Sequence, residues 1–188
     1  YKSALSASIY NEEADEKVYR LLVEKVRENV GLLQRYFEVK RRMLKLDQFA
    51  IYDTFAPVVE EIDKTYTYDE AIELIKEAVA VLGDEYVSLI DRAKNERWID
   101  VFPNKNKSSG AFSTGTYGAN PVVLTNFEGN HESVFTLAHE LGHAMHTYYS
   151  EKHQPIQTSN YVIFVAEVAS NVNEMLLLRL LLSRAKTK

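Results

Sequence analysis

Phe135–Ser150 reads FTLAHELGHAMHTYYS, and inside it His139–His143, HELGH, fits the pattern HExxH. On a helix, residues four apart share one face about 6 Å from each other along the axis. Two imidazoles so placed can bind one ion at about 2.0–2.1 Å. Glu140 lies roughly 100° around the axis from His139, off the ligand face but within reach of a water held there, which is the position of a general base. The pattern therefore points to a zinc-dependent hydrolase. Val134, Phe135, Leu137, Ala138, Leu141, Ala144 and Met145 make the flanks apolar, as expected of a buried helix. Gly142 is the odd residue, since glycine in a helix interior costs about 1 kcal/mol relative to alanine. A second backbone passing close to it would explain the choice. Taken alone, the string also fits a core helix whose two histidines are merely hydrogen-bonded.

Two imidazoles do not complete a catalytic metal site, and the next helical segment offers a third donor. After a polar loop at Gln154–Asn160, the stretch from Tyr161 to about Ser183 reads as a strongly apolar helix. Glu167, Asn171 and Glu174 fall on one face of it. A carboxylate on such a helix faces water, pairs with a cation or binds a metal, because an unpaired buried charge is very costly. In the last case His139, His143 and Glu167 form a His2Glu set for one zinc ion, leaving a fourth position open for water. His146 shares the face of His139 and His143, but seven residues of helix span about 10.5 Å, too far for one ion to be held at both ends. It is a candidate for a place behind the ligands or on the substrate side, or for ordinary packing. Glu174 is the candidate carboxylate for orienting a ligand imidazole. His131 and His153 have no ligand spacing and read as helix-end residues.

Periodicity sets the rest. Val18, Leu22, Val26, Val30, Leu33 and Phe37 recur at helical spacing, predicting a long amphipathic helix from near Glu12 to near Leu44. Lys40, Arg41 and Arg42 read as its solvated face. Residues 47–65 predict a shorter helix or turn. Thr67 and Glu70 form a capping-box pattern before a helix that Gly83 stops, and Asp84 is placed to cap another reaching about Arg97. Short strands are expected at Ile99–Phe102, Ala111–Thr116 and Pro121–Asn126. The predicted fold is mainly α with a small antiparallel β-sheet, organised as one piece: helical over 1–98, sheet over 99–127 and zinc-site helices over 128–188. Gly110 and Gly115 have phosphate-loop spacing, but Thr116 stands where that loop requires lysine, so nucleotide binding is rejected. Gly110, Ala111 and Phe112 are candidates for a strand edge that accepts an extended peptide. A hairpin whose glycines only satisfy turn geometry fits the same residues.

Composition narrows the function classes. With 188 residues, 46% hydrophobic and 26% charged, the chain has the make-up of a globular domain with a sizeable core. A net charge of −5 leaves no basic surface for nucleic acid. The greasiest run, Met175–Leu182, is interrupted by Arg179 and is too short to span a membrane. Leu176, Leu177, Leu178, Leu180, Leu181 and Leu182 surround the helix axis, so self-association, or contact with further chain, is expected to cover what one neighbouring layer leaves. The absence of cysteine rules out disulfides and a thiolate zinc site and fits a reducing compartment.

Three segments together carry a more specific signal: SGAFSTGTYGANPVVLTNF (Ser109–Phe127), FTLAHELGHAMHTYYS (Phe135–Ser150) and FVAEVASNVNE (Phe164–Glu174). With LDQFAIYDTFAPVV (Leu46–Val59) and RWIDVFPNKNKSSGAFS (Arg97–Ser113), they make most of the chain resemble the oligoendopeptidase F group of the thimet-oligopeptidase-like metallopeptidases. Asn106 departs from the resemblance, which leads one to expect glycine in that lysine-rich turn. The resemblance implies a zincin-like catalytic region within a larger, helical, two-lobed peptidase. It further implies zinc on His139, His143 and Glu167, Glu140 as base, short unstructured peptides as substrates, and a cytoplasmic location. Members of that group also place a histidine and several tyrosines, which bind substrate and stabilise the oxyanion, downstream of the zinc helix. Nothing here corresponds to them, and the chain opens on Tyr1. It is therefore expected to be a fragment, weakly active or inactive alone. The expected activity is zinc-dependent cleavage of internal peptide bonds. The alternatives are a non-catalytic peptide-binding fragment and a metallocarboxypeptidase or amidase on a similar site.

Overall fold

A computed structural model describes residues 1–58 and 64–185. The chain divides into two compact units, Tyr1–Asp63 and Lys64–Lys188. The first is built on a short helix α1 (Ala4–Ser8) and the long helix α2 (Glu16–Met43), which the Asp15 carboxylate caps by accepting from the Lys17 N–H at 2.8 Å. The predicted amphipathic helix is thus present. Its basic cluster is not simply a solvated face. Lys40 is buried and donates to the Thr54 carbonyl at 2.6 Å, while Arg41 and Arg42 both bind Glu38. Those two guanidiniums lower the Glu38 carboxyl to about 2. Of the predicted helix or turn at 47–65, a 3-10 turn occupies Ile51–Phe55, and 59–63 lie outside the described residues.

The second unit holds the core. Thr67 and Glu70 cap α3 (Tyr68–Val79) reciprocally: the Glu70 N–H donates to the Thr67 hydroxyl at 3.2 Å, and the Thr67 N–H to the Glu70 carboxylate at 2.8 Å. A 3-10 turn follows, and Gly83, at φ +102°, ends it. Gly83 also occupies the cap of α4 (Asp84–Asn95); Asp84, expected to cap, is instead the first helical residue and no side chain caps this end. Ile72, Ile75 and Val79 of α3 and Leu89 and Ile90 of α4 are buried at helical spacing.

Three short strands come next, β1 (Ile99–Asp100), β2 (Phe112–Thr114) and β3 (Val122–Leu124), in the order β1-β3-β2. β2 and β3 pair antiparallel as expected, but β1 pairs with β3 in parallel, so the sheet is mixed. The residues between β1 and β3, β2 among them, serve as the crossover a parallel pair requires. Asn106, where the resemblance leads one to expect glycine, has φ +69°, a left-handed conformation that asparagine tolerates better than most residues.

Asn130 caps α5 (His131–His153), its side-chain oxygen accepting from the Ser133 N–H at 2.8 Å, and α6 (Ile163–Arg184) packs along it. Leu137, Leu141 and Met145 of α5 and Leu177 of α6 are essentially inaccessible. Burial of such side chains contributes about 1.5–3 kcal/mol each, which outweighs what Gly142 costs the helix. Leu176, Leu180 and Leu181 are partly buried against this core, whereas Val165, Val168, Val172, Met175, Leu178 and Leu182 leave an apolar row on α6 exposed. Among the described residues no helix is long and apolar enough to cross a membrane.

Candidate metal centre

Close approach of α5 and α6 makes the site. A Cβ on Gly142 would lie 2.6 Å from the Ser170 Cα and 2.9 Å from the Ala169 carbonyl oxygen, so only glycine lets the two backbones meet at this distance. That is the neighbour which Gly142 predicts. Beside this contact, His139 one turn before Gly142 and His143 next to it converge with Glu167, one turn before Ser170.

Their donor atoms form a small triangle. His139 Nε2 and His143 Nε2 are 3.0 Å apart, and Glu167 Oε2 stands 3.3 Å from the first and 3.5 Å from the second. Tetrahedral bonds of 2.0–2.1 Å separate neighbouring ligand atoms by about 3.3 Å, so these three atoms have the spacing of one face of a zinc tetrahedron. Among the described residues this is the group of three that could hold a metal ion. The protonation pattern agrees. His139 Nδ1 is hydrogen-bonded to the Glu174 carboxylate, which puts the ring proton on Nδ1 and leaves Nε2 as a lone pair facing the triangle. His143 is hydrogen-bonded to the Ala166 backbone, and burial lowers its imidazole below the ordinary histidine range, favouring the neutral form that a ligand needs.

Glu140 sits beside the triangle with only 6% exposure, and its Oε2 has no hydrogen-bond partner. Burial raises its carboxyl above the usual carboxylate value; Glu167 adds to the rise and His139 opposes it. An orphaned, buried carboxylate oxygen next to three convergent donors fits a bound ion and its water.

A cavity of about 590 Å³ opens from this point, lined by His139, Glu140 and Glu174 on the helices and by Gly110 and Ala111 before β2. Phe112 does not line it; it begins β2 and is half exposed. β2 is an edge strand, with no further strand partner among the described residues. Gly110 itself has φ +86°, a conformation that suits glycine.

Of the other histidines, His146 lies outside the triangle with its ring stacked 3.8 Å from that of Tyr161, and its Nδ1 is buried without a partner. His131 and His153 are the first and last residues of α5. Asn171, expected on the face of Glu167 and Glu174, is exposed. Ser170 and Asn173, which the sequence does not single out, are buried there instead. Ser170 Oγ donates to Glu167 Oε2 at 2.9 Å, tethering the very oxygen that completes the triangle. The available signal was Gly142: a residue chosen for close approach implies that the small and polar residues of the partner helix face it.

The sequence matches Peptidase family M3 over residues 1–188. It is 45% identical to oligopeptidase PepF of Bacillus subtilis over 94% of this chain and 26% of that protein. It is 40% identical to group B oligopeptidase PepB of Streptococcus agalactiae over 98% of this chain and 30% of the other. A crystal structure from Chlamydophila abortus superposes with a TM-score of 0.81 at 41% identity, covering all of this chain and 31% of that one. The chain thus spans between a quarter and a third of the length of these relatives. With the whole sequence matched and an HExxH helix packed against a glutamate-bearing helix, the chain belongs to Peptidase family M3.

Proposed function

We propose that the chain is part of the catalytic domain of a zinc-dependent endopeptidase that cleaves internal bonds of short, unstructured peptides in the cytoplasm. The observation that carries this reading is the donor triangle of His139, His143 and Glu167 with the unpartnered Glu140 oxygen beside it. One zinc ion bound there would supply a Lewis acid for the substrate carbonyl and lower the pKa of water towards about 7. Glu140 takes a proton from the attacking water and delivers it to the leaving amine nitrogen. Its raised carboxyl pKa helps it hold that proton between the two transfers. Glu174 fixes the tautomer of His139, and Ser170 fixes the Glu167 carboxylate.

An extended peptide would add to the open edge of β2 by main-chain hydrogen bonds, with Gly110 and Ala111 letting it approach the cavity. Phe112, in β2, would contact it from the strand. The exposed apolar row on α6 is proposed to pack against the remainder of a larger peptidase or against a second copy, consistent with the share of its relatives that the chain spans.

The test uses the full-length protein and an internally quenched peptide blocked at both ends. Cleavage within the peptide, lost on chelation and restored by zinc, is expected. Glu140→Gln should keep its zinc and lose about 10²–10⁴-fold in activity. Near wild-type activity in that variant would remove Glu140 from its role. Failure to cut blocked peptides while trimming free ends would favour a carboxypeptidase.

A further inference from the structure

Beside the metal centre, three helices are tied together by one amide that no step of the proposed chemistry uses. Asn173 is 1% exposed. Its Nδ2 donates to the Ala138 carbonyl at 3.1 Å, and its Oδ1 accepts from the Tyr86 hydroxyl at 2.9 Å, so α6, α5 and α4 meet at this side chain. Ala138 immediately precedes His139, and Asn173 immediately precedes Glu174, whose carboxylate binds His139 Nδ1. The two links are therefore adjacent rungs between the same helices.

We propose that Asn173, held by Tyr86, is a positioning residue that sets how tightly the His139, His143 and Glu167 centre holds its metal. The inference rests on the metal-site reading and adds to it a determinant of affinity. The Ala138 carbonyl lies inside α5, where the N–H four residues on already satisfies it. It needs no second donor, and an apolar side chain of equal size would fill the same space. What the amide adds is register. It accepts from one helix while donating to another, which few side chains do. Tyr86 is a dependable donor, since burial pushes its hydroxyl up to about 12 and keeps it protonated. Metal bonds tolerate only about 0.2 Å of error, so a small slide of α6 along α5 changes the distance from Glu167 Oε2 to both imidazoles by enough to matter.

The experiment measures zinc affinity by chelator competition, together with thermal unfolding of metal-free and zinc-loaded protein, on the full-length chain. Asn173→Leu is expected to bind zinc about 10–100-fold more weakly and to show a smaller zinc-induced rise in Tm. Tyr86→Phe should show a smaller loss in the same direction. Ile75→Ala, a core truncation on α3, which carries neither rung, should lower the metal-free Tm with zinc affinity unchanged. Asn173→Leu with wild-type zinc affinity and only a lowered metal-free Tm would overturn the proposal, since that is the behaviour of a merely structural residue. Should Asn173→Leu fail to fold, Tyr86→Phe decides, and unchanged affinity in that variant overturns it. A wild-type protein that binds no zinc would instead overturn the metal-site reading beneath it.

Discussion

The Cα of Ser170 lies 2.6 Å from where a Cβ on Gly142 would be. Helix propensity alone favours alanine at position 142 by about 1 kcal/mol, but overpacking against rigid backbone typically costs about 1–3 kcal/mol. Contact should win, because the atoms met are backbone and cannot rotate away. Gly142→Ala is thus expected to lower unfolding free energy by up to about 2 kcal/mol in urea titration, and to weaken zinc binding by pushing Glu167 away from the histidines. A variant as stable as the wild type, or more so, would show that the helices adjust at a cost no larger than the propensity gain.

Ser170 acts on the same contact through its hydroxyl. Since Ser170 Oγ donates to Glu167 Oε2 at 2.9 Å, Ser170→Ala frees that carboxylate to turn away. Zinc affinity is expected to fall by about tenfold, the lower end of what loss of a ligand's hydrogen-bond partner costs. Isothermal titration or chelator competition measures it. Equal affinity in the two proteins would mean that the metal alone orients Glu167.

These residues mark how far the sequence could be read. His139, Glu140 and His143 were legible because a spacing of four is a face of a helix, whatever surrounds it. Glu167 and Glu174 were legible as carboxylates in an otherwise apolar helix, where each must have a reason. Asn173, Ser170 and Tyr86 were not, because their roles depend on which side of α6 meets α5, a matter of packing. Glu167 and Glu174 do face α5, but Asn171, expected beside them, is exposed, and Ser170 and Asn173 are buried there. Parallel pairing of β1 was hidden for a related reason: two residues of strand have no periodicity to read, and their partner lies beyond β2. Gly142 was the one position where the sequence itself announced a tertiary contact.

Acid sensitivity of the metal-free protein follows from two half-buried imidazoles. Burial lowers both His143 and His146 from the ordinary value of 6.5. Below that value the unfolded chain takes up protons that the folded one resists, so their stabilisation is present above 6.5 and lost as pH falls through the lowered values. Glu140 has the opposite sign: its raised carboxyl stabilises the fold below the ordinary carboxylate value, a contribution lost as pH rises through the raised one. A difference between variants isolates the histidine term. His146→Gln should lose less stability than wild type between about pH 8 and about pH 5.5, read as the change in Tm under chelation. An equal or larger loss would contradict a lowered His146 imidazole in the folded protein.

Glu167, carried by a different helix from the two histidines, is proposed as the third ligand of one zinc ion. Zinc content after dialysis, with affinity by chelator competition, tests it most directly in wild type, Glu167→Ala and His146→Ala of the full-length protein. About one zinc per chain is expected in wild type and in His146→Ala, and an affinity weakened by orders of magnitude in Glu167→Ala. A zinc-replete Glu167→Ala beside a zinc-poor His146→Ala would contradict it.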